Sequence, residues 1–312
     1  MQSMKAVQVH AYGGSDVLTY GEAPRPIPQA GEVLIKVHAT TVNPFDCAVH
    51  TGYVSGYFQY ELPLIPGTDV SGVVEAVGAG VSTFRKGDEV YARAGVMRPG
   101  AYAEYVAAPT ADVALKPASL DHVHAAAIPH VTLTAWQALF VVGELKAGQT
   151  VLIHGAAGGV GHIAVQLARL RGAKVIGTAS VNIGFLRELG VDEAINYATT
   201  PFENVVKGVD VVLDTIGGDT QERSWGVLKP GGILISTVQP PSQDAAAARG
   251  VRQAFIATAP PIAETLTEVA ALVAAGKFRP EVSHVLPLRE IQAAHGLLEL
   301  HHTRGKIAIQ VA

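Results

Sequence analysis

Short apolar runs, several of them alternating with polar residues, dominate the chain from residue 4 to about residue 120. Runs of this kind, interrupted often by Gly and Pro, are typical of strands joined by tight turns. Clear examples are Ala6–Val9, Glu32–Val37, Gly72–Gly78, Gly87–Tyr91 and Ala101–Val106. The pattern therefore predicts a β-rich domain, either a small barrel or a sandwich.

From His122 onward the periodic segments lengthen, and strand patterns alternate with helical ones. We predict helices at Ile183–Leu189, Thr220–Leu228 and Ile262–Ala275. Strands are predicted between and beside them, at Val151–Ile153, Lys174–Thr178, Val209–Asp214, Gly232–Val238 and Phe255–Thr258. This alternation is typical of an α/β domain with a doubly wound parallel sheet.

The end of the chain predicts a return to the first domain. After Gly276 the pattern gives a strand at Val282–Pro287, a helix at Leu288–Leu300 and a closing strand at Lys306–Val311. We therefore expect residues 1–122 and 277–312 to form the β-rich domain. Residues 123–276 are expected to form the doubly wound domain.

Composition narrows the classes of function. The chain has 312 residues, of which 48% are hydrophobic and 16% charged, and this is typical of a globular protein. Its net charge of −4 provides no basic field for nucleic acid, and Cys47 is its one cysteine. A single cysteine excludes an intramolecular disulfide and a zinc lobe built from cysteines.

One stretch without charged residues, His124–Gly143, has a length that raises the question of a membrane span. Pro129, His130, Gln137 and two threonines within it argue against one, so we predict a buried helix. No signal-peptide pattern is visible ahead of the alternating run Ala6–Val9. We expect a cytoplasmic protein with no membrane partner.

A glycine-rich turn after the strand Val151–Ile153 is the strongest functional motif. From Gly155 to Gly161 the chain fits G-x-x-G-x-x-G, a relative of the dinucleotide fingerprint G-x-G-x-x-G. Such a turn lets the backbone approach a pyrophosphate, and the helix that follows offers unpaired N–H groups to the phosphates. A merely structural turn is the alternative. The expected cofactor residues here are Ala156, Ala157, Gly158, Gly159, Val160 and Gly161.

The ends of the other predicted strands supply further candidates, because ligands bind at the carboxyl edge of an open parallel sheet. The second strand ends in Gly177–Ser180, with no carboxylate to bind a ribose 2′-OH as in NAD sites. Ser180 can hydrogen-bond either NAD or NADP. The remaining candidates at this edge are Ile216, Gly217, Ser236, Thr237 and Val238.

Motifs spread over nearly the whole chain occur together in one known family. Met4–Ala6, Val42–Asp46, Pro66–Val74 and Gly87–Val90 resemble the medium-chain dehydrogenase/reductase superfamily. Leu133–Leu139, the glycine turn and Arg304–Lys306 are similar to its zinc-independent quinone oxidoreductase (zeta-crystallin-like) branch. The resemblance implies a GroES-like catalytic domain, a Rossmann domain, NADPH as hydride donor and a homodimer.

The resemblance also allows a test for zinc. In the alcohol dehydrogenase branch, two Cys and one His hold a catalytic zinc ion that keeps an open coordination position. By motif register these three positions fall on Asn43, Thr68 and His130, of which His130 alone is a good zinc ligand. His122 and His124 lie nearby in sequence but add little. We predict no catalytic zinc.

The remaining residues take roles that the resemblance implies. Tyr197 matches a position near the adenosine phosphate, Thr134 is expected near the nicotinamide, and Lys306 is a cofactor candidate. A hydroxyl bonded to its own helix is the alternative for Thr134, and an exposed amine is the alternative for Lys306. Many relatives carry Lys or Arg just after the serine that corresponds to Ser180, whereas this chain does not. NADPH is favoured over NADH, but the strength of the preference stays open.

Asn43 and Tyr53 are the expected substrate-side residues. A neutral amide such as that of Asn43 could stabilise negative charge on a substrate oxygen, while Tyr53 could instead be an aromatic wall residue. We treat Asp46 as structural, because it could cap the next helix. The aromatic segment Gly52–Tyr60 and the loop Gln239–Gly250 are expected walls of the substrate site.

The expected activity is NADPH-dependent reduction of quinones or α,β-unsaturated carbonyls by hydride transfer without zinc. Two alternatives stay open. One is an enoyl or 2-alkenal reductase of a specific pathway, and the other is a dinucleotide-binding protein with a structural or regulatory role and little turnover. The sequence does not identify the physiological substrate.

Overall fold

The computed structural model describes residues 2–256, 263–300 and 302–312. The chain divides into two compact units. The split unit comprises Met1–His130 and Pro260–Ala312, and the inserted unit is Val131–Ala259. The units follow the order of the predicted domains, but the inserted unit begins at residue 131 rather than 123 and ends at 259 rather than 276. The predicted domain bounds stay predictions.

The split unit consists mostly of strands, and further strands form the sheet of the inserted unit. They are β1 (Ser3–Val9), β2 (Leu18–Pro24), β3 (Glu32–Thr41), β4 (Asp69–Val77), β5 (Glu89–Arg93), β6 (Tyr105–Pro109), β7 (Val113–Leu115), β8 (Thr150–Ile153), β9 (Lys174–Ala179), β10 (Glu193–Asn196), β11 (Val209–Asp214), β12 (Leu228–Ser236), β13 (Arg252–Phe255), β14 (Val282–Pro287) and β15 (Lys306–Gln310).

Helices connect these strands. They are α1 (Pro44–His50), α2 (His122–Ala126), α3 (Pro129–Trp136), α4 (Gly159–Leu170), α5 (Ile183–Glu188), α6 (Phe202–Val205), α7 (Gly218–Ser224), α8 (Gln243–Ala248), α9 (Ala263–Ala274) and α10 (Ile291–Glu299).

The split unit is built on a sheet with strand order β14-β15-β3-β4-β5-β7, and β6 pairs with β3. All of these pairs are antiparallel except β14–β15. β1 and β2 form a separate antiparallel pair. Alternate residues of β3 and β4 are completely buried and lie in one core cluster with β5, among them Val33, Ile35, Val37, Val70 and Val74. This is the β-rich domain that the alternating pattern predicts.

The inserted unit contains a parallel sheet with strand order β10-β9-β8-β11-β12-β13. Counted from β8, this is the order 3-2-1-4-5-6 of dinucleotide-binding sheets. All six residues of β11 are buried, as expected for a central parallel strand that is covered on both faces. The strand order reverses between β8 and β11, where such sheets bind their ligands. The predicted doubly wound sheet is confirmed.

Several predicted elements have the observed bounds or nearly so. β11 and β14 agree at both ends, and β8, β9 and β15 differ from the predictions by one residue at one end. The predicted strand at Phe255–Thr258 is wrong, because the strand runs over Arg252–Phe255. Residues 257 and 258 of that prediction lie outside the described residues. The same holds for Ile262, the first residue of the helix that was predicted where α9 lies.

Other predictions are wrong for identifiable reasons. The helix predicted to Leu228 ends at Ser224, and Leu228 already pairs with Val209 as the start of β12. The strand predicted to begin at Gly232 therefore begins earlier, and its first part pairs irregularly with β11. The predicted strand Ala101–Val106 is displaced to Tyr105–Pro109.

Two segments predicted as walls of the substrate site have structure of their own, and their role as walls stays a prediction. The predicted loop Gln239–Gly250 contains α8, because Ser242 caps a run of alanines by accepting a hydrogen bond from the Ala245 N–H. In the aromatic segment Gly52–Tyr60, the hydroxyl of Tyr60 donates to the carbonyl of Val96 at 2.8 Å. Part of this segment therefore packs within the split unit.

One helical stretch, His122–Val142, is long and apolar enough to cross a membrane by length and composition alone. It comprises α2, α3 and a π-helical turn at Gln137–Val142. In its most apolar window 61% of the residues are buried inside the structure. Burial of this kind is typical of a core helix, which is what the sequence predicts.

Candidate functional site

The glycine turn of the inserted unit has the geometry that a pyrophosphate site needs. Gly155 has a positive φ of 62°, a conformation that favours glycine. A Cβ on Gly161 would lie 2.2 Å from the carbonyl oxygen of Gly155, so only glycine lets α4 begin this close to the turn. Gly158 is the N-cap of α4 and provides no side-chain cap, which leaves the first-turn N–H groups available to a ligand.

Two predicted cofactor residues meet at the ends of neighbouring strands. Ser180 follows β9 and Tyr197 follows β10, and the Tyr197 hydroxyl donates to the Ser180 hydroxyl at 3.0 Å. The backbone supports this contact, because the Tyr197 N–H donates to the carbonyl of Ala179 at 3.1 Å. Tyr197 is 48% exposed. The ends of β9 and β10 thus present one hydroxyl each, and the end of β9 carries no carboxylate, as the sequence indicates.

A buried carboxylate shapes the next two loops at this edge of the sheet. Asp214 ends β11 and accepts hydrogen bonds from the N–H groups of Ile216 and Gly217 at 2.9 and 2.8 Å. The Ser236 hydroxyl also donates to Asp214 and accepts from the Val238 N–H. These bonds fix the loop backbones and leave the side chains of Ile216 and Val238 exposed. Asp214 and Ser236 therefore hold the predicted cofactor residues in position.

The split unit contains a completely buried polar network around Asn43. The Asn43 side-chain N–H₂ donates to Asp69 at 2.9 Å and to Asp46 at 3.3 Å. Its side-chain oxygen accepts a hydrogen bond from Lys306 Nζ at 2.5 Å. Lys306 Nζ also donates to the carbonyl of Val42 and lies 3.6 Å from Asp69. Both amide hydrogens and the amide oxygen of Asn43 are thereby engaged within the split unit.

The three positions tested for zinc come together beside this network. Thr68 Oγ1 lies 3.5 Å from Asn43 Nδ2 and 3.3 Å from His130 Nδ1. Burial lowers the pKa of His130 to about 3, so its imidazole is neutral at physiological pH. An amide replaces the first thiolate of an alcohol dehydrogenase site, a hydroxyl replaces its imidazole, and His130 takes the place of the second thiolate. The amide and the hydroxyl bond to each other rather than leaving a cavity lined by donors. These residues do not fit a catalytic zinc ion.

Asp46 joins the same network from the first turn of α1. Its carboxylate accepts hydrogen bonds from the Asn43 N–H at 2.8 Å and from the Tyr102 hydroxyl at 3.1 Å. Asn43 is the N-cap of α1 and Asp46 occupies the third helical position, so this carboxylate caps the helix from inside. Burial raises the pKa of Asp46 to about 7. The structural role expected for Asp46 agrees with these contacts.

Comparison with known proteins bears on both units. Residues 29–118 match the alcohol dehydrogenase GroES-like domain, and residues 189–309 match the zinc-binding dehydrogenase family. The chain is 33% identical to the zebrafish protein NAD(P)H oxidoreductase RTN4IP1, mitochondrial, over 99% of this chain and 91% of the relative. Among solved structures, the quinone oxidoreductase from Coxiella burnetii has a TM-score of 0.94 at 37% identity, with complete coverage of both chains.

The chain belongs to the quinone oxidoreductase branch of the medium-chain dehydrogenase/reductase superfamily. It is thus an oxidoreductase with a GroES-like domain and a Rossmann-like parallel sheet, as the motifs predict. A further member of known structure is the Escherichia coli quinone oxidoreductase, solved in complex with NADPH, with a TM-score of 0.88 and 29% identity. It covers 98% of this chain, and this chain spans all of it.

Within this quinone oxidoreductase fold, the predicted site residues fall into two groups. Those of the inserted unit gather at the carboxyl edge of its sheet, and Thr134 lies buried on α3. In the split unit, Lys306 is buried against Asn43, so the alternative of an exposed amine is wrong. Tyr53 is 79% exposed in the turn after α1. The roles assigned to all of these residues stay predictions.

Asp69 is the main site residue that the sequence reasoning missed. Besides Asn43 and Lys306 it accepts a hydrogen bond from the His130 N–H at 2.7 Å, and its other oxygen accepts from the hydroxyl of Thr41. It therefore links β4 to the start of α3 and to the end of β3. The signal in the sequence is its place directly after Thr68, within the motif Pro66–Val74.

Proposed function

We propose that the protein reduces quinones or α,β-unsaturated carbonyls with hydride from NADPH and without zinc. The observation that carries this proposal is the hydrogen-bonded set of Asn43, Thr68 and His130 at the positions where alcohol dehydrogenases hold their metal. A reaction that needs no Lewis acid is consistent with this set. Relatives named quinone oxidoreductase support the same class of substrate.

The inserted unit would hold the cofactor. The positive φ of Gly155 and the close approach at Gly161 fit a pyrophosphate beside the glycine-capped start of α4. Ser180 and Tyr197 would bind the adenosine end, where the absence of a carboxylate permits a 2′-phosphate. When bound, the nicotinamide supplies a hydride. The NADPH complex of the Escherichia coli relative supports this choice of cofactor.

Asn43 and Tyr53 are the proposed substrate-side residues, and different observations support them. Tyr53 is largely exposed, so its hydroxyl can meet a ligand without a rearrangement. Asn43 is completely buried with its amide engaged. The hydrogen bond from Lys306 polarises that amide and strengthens its N–H donors. The contribution of Asn43 would therefore be to organise the surrounding donors rather than to contact substrate from its present position.

Initial rates of NADPH oxidation test the proposal, with NADH in parallel. The acceptors are a benzoquinone, a naphthoquinone, a 2-alkenal and an enone, and a primary alcohol with NADP⁺ serves as the reverse control. We expect turnover of a quinone or enone that survives a chelator. A preference restricted to the 2-alkenal or enone would favour a pathway-specific reductase. Alcohol oxidation that a chelator abolishes would contradict the zinc-free mechanism, and NADPH binding without turnover would favour a non-catalytic role.

A homodimer and a cytoplasmic location belong to the same proposal. The zebrafish relative is named as mitochondrial, so the two locations are alternatives for the protein in its cell. Sedimentation velocity of the purified protein tests the dimer, and a fluorescent fusion tests the location.

A further inference from the structure

A second cluster of chemically active side chains lies in the split unit. Cys47 and His50 lie on α1, and His295 lies on α10. One potential ligand atom from each of them lies within 4.8 Å of the other two. Both histidines are completely buried, whereas Cys47 is partly exposed. The proposed reaction uses none of these residues.

A backbone hydrogen bond orients the imidazole ring of His50 and leaves its second nitrogen without a hydrogen bond among the described residues. Its Nδ1 lies 3.0 Å from the carbonyl oxygen of Gly13, which can only accept, so Nδ1 carries the proton and donates. When Nδ1 carries the only ring proton, Nε2 holds a lone pair that can bind a metal ion. It is buried and has no hydrogen-bond partner within the described part of the chain. Histidine ligands of metal ions commonly bond a backbone carbonyl through their other nitrogen in this way.

His295 is oriented by an equivalent relay. The Tyr102 hydroxyl donates its one hydrogen bond to Asp46, so its oxygen accepts from His295 Nε2 at 3.1 Å. His295 Nδ1 is then unprotonated, and it faces Cys47 Sγ at 3.4 Å. Burial lowers the pKa of His295 to about 3, which keeps the ring neutral. The carboxylate–tyrosine–histidine order resembles the outer shell of a metal ligand.

We propose that Cys47, His50 and His295 bind one thiophilic divalent cation of the zinc type. Thiolate and imidazole are the ligands that zinc prefers, and tetrahedral zinc places neighbouring ligand atoms roughly 3.5 Å apart. The Cys47–His295 pair already has this spacing, and the potential ligand atom of His50 lies within 4.8 Å of both, so it has to approach by about 1 Å at most. The partly exposed side of Cys47 leaves the fourth position to water.

Binding of the cation is a ligand exchange in which the Cys47 thiol releases its proton. Burial raises the pKa of Cys47 to about 12, so the metal-free side chain is a thiol that bonds His295. The cation takes up the thiolate and two neutral imidazoles, and one proton leaves per cation. No electron is transferred. The cation would clip α1 to α10, which are far apart in sequence, and would be structural rather than catalytic.

Cobalt(II) and zinc titrations of the full chain test this site. Since Cys47 is the one cysteine in the sequence, any sulfur-to-cobalt charge-transfer band reports on this residue alone. We expect one equivalent of cobalt to produce such a band with a tetrahedral d–d spectrum, and zinc to displace it. Zinc should release one proton per chain in weak buffer and raise the melting temperature.

Variants separate the cluster from other metal sites. Cys47→Ser should abolish the charge-transfer band, and His50→Gln should weaken zinc binding about tenfold or more. His10→Gln, at an exposed histidine, is the matched control and should bind as the parent does. His130→Gln, at the position of the alcohol dehydrogenase metal, should also retain the band. Circular dichroism of each metal-free variant checks folding.

Two results would overturn the inference. One is cobalt binding to the parent protein without a thiolate charge-transfer band. This measurement does not depend on the folding of any variant. The other is zinc binding that Cys47→Ser and His50→Gln leave unchanged. The readouts are spectra, protons and melting temperatures, so a negative result leaves the proposed reduction of quinones untouched.

Discussion

Asp46 has two carboxylate oxygens in very different surroundings. Oδ2 accepts hydrogen bonds from Asn43 and Tyr102, whereas Oδ1 is buried and has no partner within the described residues. Burial is the main reason that the pKa of Asp46 rises from 3.8 to about 7, and the nearby Asp69 adds to it. A proton on Oδ1 would remove the cost of a buried charge.

The raised pKa of Asp46 predicts a pH-dependent stability. Because the folded-state pKa lies above the unfolded value, the stabilisation is fully present below about pH 4 and is lost as pH rises through 7. Over this window the parent should lose up to roughly 4 kcal/mol relative to Asp46→Asn, which has no charge to bury. Denaturant unfolding of both proteins from pH 4.5 to 7.5 measures the difference, and parallel curves would contradict the prediction.

Ser180 sets the expected cofactor preference. Ser180→Asp would place a carboxylate at the end of β9, where it would repel a 2′-phosphate and could bind a ribose 2′-OH. We expect KM for NADPH to rise about tenfold, which corresponds to about 1.4 kcal/mol, while KM for NADH stays constant or falls. Ser180→Ala is the control, because it removes the hydrogen bond of Tyr197 without adding charge. Equal changes for both cofactors would refute this role.

For single residues, the sequence predicted which chemical groups occupy the site better than it predicted which side chains contact one another. The missing zinc ligands at Asn43 and Thr68 were visible in the motifs, and so was the missing carboxylate near Ser180. The network joining Asn43 to Lys306 was not, because these residues are far apart in the chain and meet only when β15 pairs with β3. The His50–His295 contact was hidden for the same reason.

At the scale of elements, the start of α4 is the most constrained feature of the inserted unit. Gly161→Ala would place a Cβ 2.2 Å from the Gly155 oxygen and 2.7 Å from the Cα of Ala156. Neither contact involves a flexible side chain, so the helix or the turn must move. We expect a loss of roughly 1–3 kcal/mol in unfolding free energy and a higher KM for the dinucleotide. Thermal unfolding and initial rates measure the two effects.

Gly184 offers a matched control in the same unit. It lies on α5, and a Cβ there would meet nothing within 4 Å. Gly184→Ala should therefore be neutral or stabilise the protein by up to about 1 kcal/mol, since alanine has the higher helix propensity. If both variants behaved alike, helix propensity rather than close approach would explain the result at Gly161.

Elements with a clear period were predictable, whereas irregular ones were not. β11 and β14 were bounded correctly because apolar runs ended at turn residues. β12 was misread because its first half contains Lys229, Pro230 and two glycines, which normally signal a turn. Pairing with β11 outweighs that local preference. α8 was missed since alanines after a Pro-Pro pair gave no amphipathic period.

At the scale of the whole molecule, the order of the sheets followed from alternation along the chain. The parallel order of the inserted unit is the one expected when strands and helices alternate. The place of β15 between β14 and β3 was beyond local patterns, because strand pairing across such a separation leaves no periodic signal. Long-range pairing is therefore where the sequence reasoning stopped.

That pairing has a consequence for biosynthesis. Lys306 contacts Val42 across 264 residues, so a ribosome adding roughly 5–20 residues per second needs roughly ten to fifty seconds to supply this cation after Val42 emerges. Until then the edge of β3 has no β15, and Asp69 lacks its ammonium partner. The nascent amino-terminal segment would thus gain from a chaperone that covers an open strand edge.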